Sequence, residues 1–324
     1  MQGRHKACGF RHDRIGARPC SIDGTDVSLA WQQQPERGSP IGARAMIWVA
    51  ESLGRPVARV MLYPICAYFL LSSGAARRSV SRFRERVLGR PASWTELFRH
   101  YHVFASTILD RLYFLRAQLA LFDVRFHGLD VLDRELAKGQ GCVLLGAHLG
   151  SFEAVRAVGI FRRQLDIRVL MDEQNAPMIR NLIQELNPAV AETVIQVGRV
   201  ETMLQVKECL DAGGIVGVMG DRVTQNDQTV ACKFFGREAR FPTGPIRLAH
   251  VTRAPVLLFF GLYRGGNRYE VHLESFSLEA PSSHDRRAVD VNQAVQRYAD
   301  RLADYCRRAP ENWFNFYDYW DEYR

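Results

Sequence analysis

The sequence predicts an α/β fold: a mostly parallel sheet flanked by helices, preceded by an N-terminal helical region with membrane affinity. Three observations predict it. Short apolar runs such as Cys142–Gly146 (CVLLG) and Ile215–Met219 (IVGVM) read as strands buried on both faces. Amphipathic segments of helix length alternate with those runs, the rhythm of a sheet built by crossover connections. Upstream of them, from Trp94 to Ala120, Leu97, Tyr101, Phe104, Ile108, Leu112 and Leu115 recur every three or four residues, which is a helix rhythm.

The elements follow in order. Residues 1–28 mix Arg, His, Gly and Asp without periodicity and read as a disordered tail; they lack the apolar core of a secretory signal. Residues 29–90 read as amphipathic, membrane-associated helices. Ile41 to Ala50 is mostly apolar, with Trp48 near its end. Arg59 then precedes an uncharged run from Val60 to Ala76, closed by Arg77 and Arg78 and followed by Arg82, Arg84 and Arg86. That run is short of the ~20 residues a bilayer span needs, and Pro64 interrupts it. Its aromatic ends and arginine cluster suit an interfacial or marginal membrane helix.

Residues 91–324 read as one catalytic domain. Strands are expected at Phe122–His127, Cys142–Gly146, Ile167–Met171, Thr193–Val197, Ile215–Met219, Pro255–Tyr263 and Tyr269–Ser275. The last two join through Gly265-Gly266-Asn267 as an antiparallel hairpin at the sheet's edge. Helices are expected at 128–139, 151–163, 176–186, 201–212 and 286–308.

Composition bounds the function. The 324 residues suffice for one large or two small domains, and 47% hydrophobic with 24% charged is ordinary globular composition. The net charge of +8 comes almost wholly from arginine and favours an anionic partner: an acidic carrier protein, an anionic membrane face or nucleic acid. The nucleic-acid reading rests on charge alone and is set aside. Seven cysteines without a CxxC pair suggest a reducing compartment and no structural metal.

Ligands bind outside the carboxyl ends of parallel strands. After Cys142–Gly146 the chain reads Ala147-His148-Leu149-Gly150-Ser151-Phe152-Glu153. His148 and Glu153 stand about 140° apart on a continuous helix, so they cannot pair there. They can pair if His148 lies on the turn, Gly150 lets the chain fold back and Ser151 caps a helix whose first turn holds Glu153. A carboxylate on one imidazole nitrogen leaves the other free as a general base. The dyad has no nucleophile of its own, so a substrate hydroxyl is expected to fill that role. No GxSxG elbow, GxGxxG or phosphate-binding loop offers another chemistry.

The segment GAHLGSFEAVRAVG resembles the HxxxxD/E motif of glycerolipid acyltransferases, and most of all their bacterial branch, the lipid A lauroyl/myristoyl acyltransferases. Further matches follow in order: Gly220-Asp221-Arg222 after a buried strand, Phe234-Phe235-Gly236, Phe241-Pro242-Thr243-Gly244-Pro245, the strand Pro255-Val256-Leu257-Leu258, and the closing Ala309-Pro310-Glu311-Asn312-Trp313-Phe314-Asn315-Phe316. From about Trp31 to Trp320 the chain also looks like an acyltransferase subgroup linked to aryl-polyene lipids. The resemblance implies transfer of an acyl group from a thioester of acyl-carrier protein or coenzyme A to a lipid hydroxyl, without a cofactor, at the cytoplasmic face of a bacterial inner membrane. His148 would be the base and Glu153 its partner. Gly150, Ser151, Asp221 and Arg222 would line the substrate site. Amides near Thr243-Gly244, or Arg222, would face the oxyanion.

One place departs from the family. Where its members commonly carry an arginine, this chain has Met171-Asp172-Glu173. Asp172 and Glu173 would disfavour a doubly phosphorylated acceptor and suit one with less phosphate or with an amine. An aryl-polyene or fatty acyl group on a non-lipid-A acceptor is therefore an alternative, as is a noncatalytic lipid- or carrier-binding module. Asp221-Arg222 also reads as a local ion pair, Thr243-Gly244 as a plain helix start, and Phe234-Phe235 as packing.

Overall fold

The computed structural model describes residues 40–171, 177–224, 227–279 and 290–320. Four helices come first: α1 (Pro40–Ser52), α2 (Gly54–Ser72), α3 (Gly74–Leu88) and α4 (Trp94–Leu115). Ser93 caps α4 in a full capping box with Glu96, as Ser-x-x-Glu before an apolar stripe dictates. On α2 the residues Ala58, Leu62, Cys66 and Leu70, spaced by four, turn inward and pack with α4. The other faces of α1 and α2 leave Ile41, Trp48, Val60, Tyr68 and Leu71 exposed, and Leu53 between the helices is exposed too.

The uncharged run of residues 60–76 is not one helix. The chain breaks at Ser73, and α2 and α3 meet at 94°. Among the described residues no single helix is long and apolar enough to cross a membrane; only that bent pair reaches the required length and composition together.

The sheet has seven strands: β1 (Asp123–His127), β2 (Cys142–Gly146), β3 (Ile167–Met171), β4 (Val194–Gln196), β5 (Ile215–Met219), β8 (Val256–Gly265) and β9 (Arg268–Phe276), in the order β1-β9-β8-β2-β5-β3-β4. All neighbours are parallel except β8 and β9. The hairpin expected at the edge is one place further in, because β1 pairs with β9 in parallel and covers it. Burying β9 on both sides removes an open template for strand addition.

Alternating residues of β2, β5 and β8 fill two cores. Val143, Leu145, Val216, Leu258 and Phe260 face α9 (Thr202–Asp211), α10 (Gly244–Thr252) and α11 (Val291–Arg308). Cys142, Leu144, Ile215, Leu257 and Phe259 face α5 (Leu129–Leu136) and α6 (Phe152–Ala157). The helix expected over 151–163 is α6 followed by a π-helical stretch, Val158–Arg162. The helices α7 (Pro177–Leu186) and α8 (Pro188–Ala191) lie between β3 and β4.

A separate two-stranded sheet, β6 (Thr229–Phe234) with β7 (Arg237–Pro242), has no counterpart among the strands expected from sequence. Its turn, Phe235-Gly236, takes positive φ at both residues (49° and 76°), the form that matches hairpin twist. Phe234 and Phe235 are packing residues, as expected: Phe234 stacks on Trp320, and Phe235 lies edge-on to Phe83.

Candidate active site

The site begins where β2 ends. β2 and β5 run side by side with Gly146 opposite Met219, so His148 and Asp221 each lie two residues beyond that pair. Asp221 is fully buried. Its carboxylate accepts three hydrogen bonds: from the His148 backbone N–H (3.0 Å), from His148 Nδ1 (2.8 Å) and from Trp313 Nε1 (3.0 Å). A buried carboxylate so bonded is held ionised, and an ionised carboxylate accepts only. Nδ1 therefore carries the proton, and Nε2 is left as the basic nitrogen. The side chain of His148 is 34% exposed, so the ring is reachable from outside.

Burial opposes ionisation of Asp221, yet the adjacent imidazole, its hydrogen bonds and Arg222 outweigh burial and hold the carboxyl below its usual range. The same surroundings act on His148. Desolvation and then Arg222 push its pKa down, Asp221 pushes it up, and the net shift is downward. The ring is neutral at pH 7, which is the state a base needs.

The turn itself is held by residues far along the chain. Gly150 adopts φ 75° and lies against the Gly261 carbonyl so closely that any Cβ would collide with it. The Gly150 N–H donates to the Asn312 carbonyl (2.8 Å), the Ser151 N–H to the Gly261 carbonyl (2.7 Å), and the Phe314 N–H to the His148 carbonyl (2.9 Å). Ser151 caps α6 by accepting from the Ala154 N–H, the role expected from sequence.

Glu153 does sit in the first turn of α6, as expected, but its carboxylate belongs to other partners. It accepts from Arg156 Nε (3.0 Å) and forms an ion pair with Arg156 (2.7 Å), and Arg111 on α4 stands 3.7 Å from its other oxygen. The expected pairing of His148 with Glu153 is thus replaced by His148 with Asp221. The physical reason is competition. Two guanidiniums claim the Glu153 carboxylate, and the turn through Gly150 presents Nδ1 to the neighbouring strand's loop instead.

The remaining candidates divide. Arg222 donates to the Phe314 carbonyl (2.9 Å) and so braces the same C-terminal segment. The Thr243 N–H and hydroxyl both bond to the Gln228 carbonyl (2.8 and 3.0 Å), so that amide is already used and does not face an oxyanion. Gly244 is exposed at the start of α10. Asp172 and Glu173 lie outside the described residues. Trp313 is a site residue that sequence reasoning missed. Its signal is the aromatic run that closes the sequence from Trp313; the ring is buried, at 0% exposure, and its N–H also serves Asp221. Among the described residues one group of side chains could share a metal ion, His127, Glu270 and His272, and there Glu270 is already paired with Arg264 at 2.7 Å.

Residues 89–322 match the family model of the bacterial lipid A biosynthesis acyltransferases. The match spans more than two thirds of the chain and includes every site residue described above. A comparison with curated proteins gives no match. The chain belongs to the bacterial lipid A biosynthesis acyltransferase family, and acyl transfer is the activity that membership supports.

Proposed function

We propose that the protein is an O-acyltransferase that moves an acyl group from a thioester donor, acyl-carrier protein or coenzyme A, to a hydroxyl of a membrane lipid. The observation that supports this reading is the buried Asp221 carboxylate on Nδ1 of a part-exposed His148, an arrangement that leaves Nε2 to act as the base. Nε2 takes the proton of the acceptor hydroxyl as its oxygen attacks the thioester carbonyl. The tetrahedral intermediate collapses, the C–S bond breaks, and the proton passes from Nε2 to the leaving thiolate. Asp221 fixes the tautomer and offsets the charge of the transient imidazolium.

The exposed apolar side chains of α1 and α2 suit attachment at a bilayer surface, and the positive net charge suits both anionic lipid and an acidic carrier protein. The acid residues at 172 and 173 favour an acceptor less phosphorylated than lipid A, and an aryl-polyene or fatty acyl group remains compatible with the sequence resemblance. Lipid mass spectrometry of a strain carrying His148→Ala tests the reading. An O-acylated lipid present with the wild-type protein should vanish, naming acceptor and acyl chain together. Unchanged lipids with the variant folded and membrane-bound would refute it.

A further inference from the structure

The charges around Glu153 do not balance. Its side chain is 7% exposed and is the one carboxylate, among the described residues, in contact with both Arg111 and Arg156. Arg156 is 2% exposed and spends its ion pair on Glu153. The neighbouring acid on α4, Asp110, is taken by Arg55 (2.7 Å) and by the Tyr269 hydroxyl (2.7 Å). Arg111 is left with only the long 3.7 Å approach to Glu153, and its Nε is buried with no hydrogen-bond partner among the described residues. A buried guanidinium N–H without a hydrogen-bond partner, on a cation with no close counter-ion, is costly unless a ligand compensates the charge. Arg111 keeps 24% of its side chain exposed, so such a ligand can reach it, and the Glu153 it faces lies in the first turn of α6, directly after the turn that carries His148.

We propose that Arg111, backed by Glu153 and Arg156, presents an anion-binding subsite beside His148 that takes a phosphate oxygen of the substrate. Glu153 aligns the two guanidiniums and neutralises one of them, and Arg111 provides the remaining positive charge. The acid of the HxxxxE segment is then a positioning residue for cations rather than the partner of the base. The identity of the anion rests on the acyltransferase reading, but the subsite does not, because binding is measured without turnover.

The test is titration calorimetry of inorganic phosphate into the full-length protein, wild type and Arg111→Gln, with Arg111→Lys as a charge-preserving control. Phosphate should bind the wild type, weaken at least about tenfold in Arg111→Gln, and weaken less in Arg111→Lys. Coenzyme A and glycerol 3-phosphate, titrated separately, distinguish the source. A loss confined to coenzyme A assigns the subsite to the donor; a loss confined to glycerol phosphate assigns it to the acceptor lipid. Histidine labelled with ¹³C at Cε1 gives a second readout: bound phosphate should raise the pKa of His148 in the wild type and leave it unmoved in Arg111→Gln. No phosphate binding to the wild type at tens of millimolar, or equal affinity in Arg111→Gln, overturns the proposal.

Discussion

Asp221→Asn separates the two candidate partners of His148. The native carboxylate accepts from the His148 N–H, His148 Nδ1 and Trp313 Nε1 at 2.8–3.0 Å. An asparagine has one acceptor oxygen and an NH₂ that only donates. With the oxygen serving the fixed backbone and indole donors, the NH₂ faces Nδ1, which must then accept. The proton moves to Nε2, and the base is gone. Loss of the tautomer is worth roughly 10⁴ in kcat, or about 5 kcal/mol of transition-state stabilisation. Because the native ring is already neutral at pH 7, the loss should persist at pH 8, where no protonation can account for it. Free thiol released from an acyl-thioester donor reports the rate, and thermal melting confirms the fold. Glu153→Gln is the comparison. A folded Asp221→Asn variant within tenfold of wild type, or a 10⁴-fold loss found in Glu153→Gln alone, would refute the assignment.

Other perturbations probe the scaffold. Glu153→Ala strands Arg156, 2% exposed, without its counter-ion and should cost about 3–5 kcal/mol in urea unfolding; a cost under about 1 would mean the cluster is not a buried ion pair. Gly150→Ala must hold φ 75° with a Cβ against the Gly261 carbonyl and should destabilise by about 2–4 kcal/mol, read as a fall in Tm, with activity falling too because His148 is two residues away. His100 is fully buried among Phe83, Phe314 and Phe316, and burial pushes its pKa down to about 3. The unfolded chain binds that proton below pH 6.5 while the folded chain does not, so stability is complete above 6.5 and declines as pH falls toward 3. The decline is about 1.4 kcal/mol per pH unit. His100→Phe should remove about 2 kcal/mol of the loss between about pH 6.5 and 4.5, and an unchanged pH slope would show that His100 is not its source.

His148 is legible in the sequence because the turn after a fully apolar strand, visible locally in CVLLG, is where parallel sheets place their sites. Glu153 is the acid nearest to it along the chain, but nearness along the chain does not make it the partner. Asp221 is 73 residues away, and bringing it to His148 depends on β5 being the neighbour of β2. Strand order is a product of long-range packing that no local periodicity encodes, although Asp221 stood in view as an acid after a buried strand. The β6–β7 hairpin was hidden for a different reason. Its turn uses Phe235 at positive φ, where Asn or Gly is the usual signal, and the Phe83 and Trp320 rings around it supply the packing that tolerates the strain. The N-terminal run was legible as apolar, but composition alone could not place the break at Ser73.

The strap formed by residues 312–319 has a consequence for how the enzyme comes into being. It supplies the indole that braces Asp221, the carbonyl that holds Gly150 and the amide that holds His148. Asp221 and Trp313 are 92 residues apart, so during translation both β2 and β5 leave the ribosome long before their clasp does. Until residues 312–314 join the fold, the His148 turn lacks the contacts that hold it, and Asp221 lacks the indole that braces it.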